Sequence, residues 1–303
     1  SYVEFIAGEG GVIDTWLRRG AAGFRLDVAD ELPDEFIEKI RTAVKRVGPE
    51  KFLLGEVWED ATTKYGFNQR RTYLLGKGLD SVMNYPFKNA VLDFVKGKPA
   101  EQAANEILTI CEHYPAPAID TALNFLSTHD TERALTVIAD EPANGRGRQW
   151  QSGRCVTGDA YEEGLLRLRM AYAIIYTLPG VPCLYYGDEI AMQGYRDPFN
   201  RAFFRWDAHE QRLRPVLAQL AQLRHTCEAF RTGKLWVFRA EGGILHYQRI
   251  GEVETAEIIV NRTEHIIVET LASGKSTEVN PMGFTIVVEE VGHNPNHSYY
   301  DYV

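Results

Sequence analysis

Five short apolar runs constrain this chain more than anything else in it. They are Ala22–Val28 (AGFRLDV), Lys51–Trp58 (KFLLGEVW), Gly78–Tyr85 (GLDSVMNY), Ala122–Ser127 (ALNFLS) and Val181–Tyr186 (VPCLYY). A strand with one wet face is apolar at every second position. These runs are continuous, as strands of a parallel sheet covered on both faces must be. Helical patterns separate them, at Gly10–Arg19, Pro33–Val47, Lys88–Val95, Ala100–His113 and Tyr161–Leu178, and another follows at His209–Phe230. Strands alternating with helices predict an α/β fold. The polar residues cluster at the C-terminal ends of the runs: Asp27, Glu56, Asn84, His129 with Asp130, and Asp188 with Glu189. Barrels and open parallel sheets both build their sites at that end.

The texture changes near Gly233. From there the segments are short, β-branched and separated by turns (LWVFRA, ILHYQRI, AEIIVN, HIIVETL, FTIVVEE). That is the pattern of a small antiparallel domain. The expected organisation is therefore residues 1–232 as the α/β part, 233–291 as an all-β domain and 292–303 as a tail.

The bulk properties narrow the partners. A chain of 303 residues with net charge -9 and pI near 5.5 is poorly suited to nucleic acid or an anionic membrane surface. A neutral ligand suits it better. Aromatics at 11% would serve stacking on a flat ligand, although core packing is their commoner use. No apolar run reaches the roughly 18 residues of a membrane helix, and no signal peptide is visible. Cys111, Cys155, Cys183 and Cys227 lie far apart with no C-x-x-C spacing, so they give no metal or redox signature. A reduced, cytoplasmic chain is the favoured reading, with disulfides left open.

Two runs carry paired chemistry. Arg25 and Asp27 are two residues apart in a strand and project to one face. They form either a structural ion pair or part of a polar site, because burying either charge alone is costly. Glu56, in an equally apolar run, is expected to be desolvated, which favours a proton donor; otherwise it caps a loop. His129 beside Asp130 is either a core histidine or a ligand-binding one. Two carboxyls in contrasting environments are what glycoside cleavage needs, one attacking the sugar carbon while the other protonates the leaving oxygen. No P-loop, G-x-G-x-x-G, G-x-S-x-G or H-E-x-x-H points to another chemistry.

The segments GFRLDVADE, GEVW and FLSTHDTER, in that order, resemble the second, third and fourth signatures of the α-amylase superfamily, glycoside hydrolase family 13. MNYPF and LPGVPCLYYGDEIAMQGYRDP extend the resemblance. The Ala29-Asp30-Glu31 after Asp27 is most similar to the cyclomaltodextrinase, neopullulanase and maltogenic amylase group. The resemblance implies Asp27 as nucleophile, Glu56 as acid/base and Asp130 as transition-state stabiliser. It implies Arg25 holding Asp27, His129 bonding the sugar, and Trp58 and Arg133 among the substrate-binding residues; packing is the competing role for Trp58. Asn84, Arg133 and Asp188 are the weaker candidates, for the rim or for structural pairing. The first family signature and the first three barrel strands are missing. The implied fold is a partial (β/α)8 barrel, about strands four to eight, followed by a small antiparallel β-sandwich, as the C-terminal part of a longer enzyme. The implied substrates are α-1,4-glucans: maltooligosaccharides, cyclodextrins and pullulan. The chain alone is expected to be weak or inactive and to form oligomers or swap elements through its open barrel edges. No cofactor is implied; calcium, which often binds in the superfamily through the excursion missing here, is left open and is not supported by this chain. The competing functions are a non-catalytic binding subunit and a transglycosylase using the same residues.

Overall fold

A computed structural model of the chain describes residues 1–291 and 298–302. The chain divides into two compact units, Ser1–Pro86 with Leu108–Leu123, and Phe87–Ile107 with Asn124–Val303.

In the first unit three strands, Gly23–Leu26, Phe52–Gly55 and Ser81–Val82, lie side by side in that order. They run parallel, with Phe24 opposite Leu53 and Leu54 opposite Ser81. A parallel bridge from Met83 to Leu123 continues the series. Gly23 is required at the start: a Cβ there would stand 2.0 Å from the Phe52 carbonyl oxygen. The middle strand has three of its four residues buried, whereas all four residues of Gly23–Leu26 are only half-buried. Among the described residues that strand has no neighbour on its outer side. The paired stretches are shorter than the apolar runs. Asp27 and Glu56 stand just beyond the last paired residues, Leu26 and Gly55.

The helix Asp34–Val47 starts directly after Pro33, with Asp34 and Glu35 in its first turn and Lys45 and Arg46 in its last. This charge order suits the helix dipole. Ile37, Ile40, Ala43 and Val44 form its buried stripe. Asp80 ties the helix to the sheet by accepting from Arg41 Nη1 (2.7 Å), Lys45 Nζ (2.8 Å) and the Leu53 amide (2.8 Å). Burial pushes the Asp80 carboxyl up, but those three hydrogen bonds outweigh it and hold the carboxyl below the usual range. Its stabilising effect is therefore present above the unfolded carboxyl value and lost as pH falls through the depressed folded one. Asp80→Asn is expected to cost about 2 kcal/mol near pH 7. The gap from wild type should close below about pH 4. Thermal melts across pH check this, and a gap that persisted in acid would count against the assignment.

In the second unit the helix Gly158–Thr177 is buried along most of its C-terminal half. The Asn124 carbonyl accepts from the Cys183 amide at 2.7 Å, joining the short strands Leu123–Asn124 and Val181–Pro182. The expected helix at His209–Phe230 is two, Leu213–Thr226 and Ala229–Thr232. It breaks at Cys227, which is extended; the next amide, that of Glu228, donates to Glu254 at 2.5 Å. From Lys234 on, the described residues form strands joined by turns and loops, with no helix among them. Lys234–Glu241, Ile244–Ile250, Glu254–Asn261, Gly283–Glu290 and Ser298–Tyr302 form one antiparallel sheet, each strand beside the next. A hairpin of Ile267–Thr270 and Ser276–Val279 shares an apolar cluster with that sheet, through Ile259, Val287, Leu271 and Val279. The segment 292–303, expected as a tail, adds Ser298–Tyr302 to the sheet edge; positions 292–297 and 303 lie outside the described residues. Among the described residues no helix is long and apolar enough to cross a membrane. None of the four cysteines forms a disulfide.

Candidate active site

The first unit brings together Arg25, Asp27, Glu56 and Trp58. Arg25 Nη1 pairs with Asp27 Oδ1, the contact that two-residue spacing in a strand allows. Arg25 Nη2 lies 3.0 Å from Glu56 Oε2, so one guanidinium serves two carboxylates on neighbouring strands. The carboxylates differ sharply in setting: the side chain of Asp27 is 72% exposed and that of Glu56 3%. The apolar environment expected for Glu56 needs correction. The carboxylate is buried, yet its oxygens meet the Val28 amide (2.8 Å), Trp58 Nε1 (3.0 Å) and Arg25. The flanking residues are apolar, but the fold folds back donors from both strand ends.

Val28, next to Asp27, has φ 41° and ψ 53°. A β-branched residue in the left-handed region is strained, and such strain persists where surrounding contacts over-determine it. Here the Val28 amide is held by the Glu56 side chain and the Ala29 amide by the Glu56 carbonyl at 3.1 Å. Trp58 stacks on Tyr85 with centroids 4.4 Å apart and planes 12° apart, and the indole is still partly exposed. It is packed on one face and partly open to solvent.

The second unit brings together His129 and Asp130. His129 Nε2 is 3.0 Å from Asp130 Oδ2. Arg201 donates to the other oxygen of Asp130 at 3.2 Å and to the His129 carbonyl at 2.8 Å. Arg133, expected among the substrate-binding residues, is fully buried and offers a ligand no surface. Its Nη1 donates to the Tyr186 carbonyl (2.7 Å) and Asp188 Oδ1 (3.2 Å), and the guanidinium lies over the rings of Tyr185 and Tyr186. This is the structural pairing weighed from sequence. Burial pushes the Asp188 carboxyl up to about 6, against the pull of Ser127, Tyr172 and Arg133. Asn84 is buried too. Sequence reasoning missed Asn200 and Arg201. The available signal was their position two and three residues beyond Pro198, just past the segment LPGVPCLYYGDEIAMQGYRDP. Among the described residues no group of three or more His, Cys, Asp or Glu side chains could hold a metal ion.

Residues 7–244 match the family model described as alpha amylase, catalytic domain. The chain belongs to the α-amylase family. Family relatives include an amylopullulanase of Thermoanaerobacter thermohydrosulfuricus, 32% identical over 246 residues, covering 76% of this chain and 15% of that protein. A cyclomaltodextrinase of Geobacillus thermopakistaniensis (strain MAS1) is 32% identical over 255 residues, covering 82% of this chain and 38% of the relative. Among solved α-amylase-family structures, the cyclic α-maltosyl-(1→6)-maltose hydrolase of Arthrobacter globiformis superposes with TM-score 0.78 at 25% identity, covering 92% of this chain and 58% of that one. The chain thus spans well under half of these two sequence relatives and a little over half of the structural one.

Proposed function

We propose that this chain carries the acid–base and nucleophilic half of a retaining α-glucan hydrolase. The observation that carries the reading is Arg25, bonded to exposed Asp27 and lying against buried Glu56. An exposed, oriented carboxylate suits attack; an enclosed one suits proton transfer. An Asp27 oxygen attacks the anomeric carbon while the glycosidic C–O bond breaks. The leaving oxygen keeps the bonding electrons and takes the proton from Glu56. Glu56, now a carboxylate, removes a proton from water, whose oxygen attacks the glycosyl carbon and releases Asp27. Asp130 takes the third carboxylate's role through its place in FLSTHDTER, and the open face of Trp58 offers a surface for a sugar ring. Both proton and nucleophile come from carboxyls, so no resident cofactor is called for. A sugar hydroxyl in place of water gives transglycosylation with the same residues. Relatives named amylopullulanase and cyclomaltodextrinase support α-1,4-glucans as substrates: maltooligosaccharides, cyclodextrins and pullulan.

In this reading the parallel strands are about strands four to eight of a (β/α)8 barrel, and the sheet with its hairpin is an antiparallel β-sandwich. The test is the first-formed anomer. Proton NMR of maltoheptaose hydrolysis by the complete natural polypeptide should show α-configured product before mutarotation; β-product would overturn retention.

The half-buried outer edge at Gly23–Leu26 has no strand beside it among the described residues, and such an edge invites further pairing. The chain alone is therefore expected to be weak or inactive and to self-associate through that edge. Size-exclusion chromatography with dye binding checks this. A well-behaved monomer with little dye bound, or turnover matching a complete relative, would sink it.

A further inference from the structure

We propose that Asn200 is a positioning residue for Asp130, a role that rests on Asp130 acting on the reacting sugar. Asn200 is fully buried. Its Nδ2 donates to the carbonyls of His129 (2.8 Å) and Thr131 (2.8 Å) and lies 3.4 Å from that of Thr128. One NH2 group carries two hydrogens, so the two short contacts use its full donor capacity. The amide orientation is not arbitrary: flipped, its oxygen would face three carbonyl oxygens. Oδ1 has no hydrogen-bond partner among the described residues. The residue thus leaves a buried acceptor unsatisfied while delivering two N–H groups to one turn. Mere space-filling does not ask for that.

The turn it grips carries the chemistry. Within the turn, the Asp130 amide donates to Thr128 Oγ1 (3.1 Å) and the Thr128 amide to Thr131 Oγ1 (3.2 Å). These bonds close the amide side and leave the carbonyls of His129 and Thr131 facing Asn200. Both partners that hold the Asp130 carboxylate depend on the same backbone: His129 is the preceding residue, and Arg201 anchors on the His129 carbonyl. The same segment is fixed beyond the turn, where the Arg133 amide donates to the Gly194 carbonyl (2.9 Å) and the Gly194 amide to Thr136 Oγ1 (2.8 Å). Removing the Asn200 donors frees the middle of this frame, where His129 and Asp130 branch off.

The test compares Asn200→Leu, Asn200→Asp and Asp130→Asn in the complete natural polypeptide, with maltoheptaose as probe. Asn200→Leu keeps the shape and loses the donors. Its kcat should fall about 10- to 100-fold, as a displaced catalytic group requires, with KM within about twofold. In Asn200→Asp the carboxylate opposes the carbonyls, and its protonated form regains one donor. Its kcat relative to wild type should therefore rise as pH falls, while the Asn200→Leu ratio stays flat. Wild-type kcat in Asn200→Leu, or a flat ratio for Asn200→Asp, overturns the proposal. Normal turnover in Asp130→Asn defeats the reading of Asp130 instead, whatever Asn200 does. If the wild type turns over no glucan, amide hydrogen exchange decides: about tenfold faster exchange at Asp130–Arg133 in Asn200→Leu supports the clamp, and unchanged exchange overturns it.

Discussion

Asp27→Asn in the complete natural polypeptide is expected to lower kcat for maltooligosaccharide hydrolysis by about ten-thousand-fold or more, because no covalent intermediate can form without the attacking oxygen. The fold should not notice. The Asp27 side chain is mostly exposed and its partner is Arg25. Surface changes of this kind move stability by roughly half a kcal/mol, and Arg25 retains Glu56. Loss of turnover at unchanged melting temperature is thus the signature of a nucleophile; normal turnover would sink the role. The contrast with Glu56 is informative. Glu56→Gln removes proton transfer and also disturbs a buried carboxylate that orders the strained Val28 turn. That variant should lose both activity and stability.

Arg133→Leu is expected to cost about 3–5 kcal/mol of unfolding free energy, the effect of stranding one member of a buried ion pair. Arg133 and Asp188 have side chains 0% and 2% exposed, and Asp188 Oδ2 also accepts from Tyr172 at 2.6 Å. With the guanidinium gone, a carboxyl that burial already disfavours as an ion loses its counter-charge. Replacing both, as Arg133→Leu with Asp188→Leu, should cost less than Arg133→Leu alone, since paired apolar substitutes remove both desolvation penalties. Urea unfolding of Arg133→Leu, Asp188→Leu and the double variant measures the coupling. Arg133→Leu within about 1 kcal/mol of wild type would show that the pair contributes little to stability.

Much of this was legible because it is local. The strand–helix alternation follows from periodicity, and the pairing of Arg25 with Asp27 follows from a two-residue repeat. Strand ends were overestimated because an apolar run marks burial, whereas a strand exists only where a neighbour runs alongside. The helical pattern is interrupted at Cys227, and the next amide, that of Glu228, turns to Glu254, 26 residues on, a contact that no window of sequence contains.

The candidate site divides along the same line. From sequence alone came the residue types, their order and the placing of acids at the ends of parallel strands, since composition and spacing are properties of the chain. Tertiary structure alone decided what each side chain faces. It turned the Glu56 carboxylate from an apolar setting into one ringed by donors, put Arg133 out of a ligand's reach, and set Asn200 against a turn some 70 residues earlier. The physical reason is that hydrogen-bond satisfaction in a packed interior is settled by which backbone segments meet, and that meeting is fixed only when the whole sheet and its loops have closed around them.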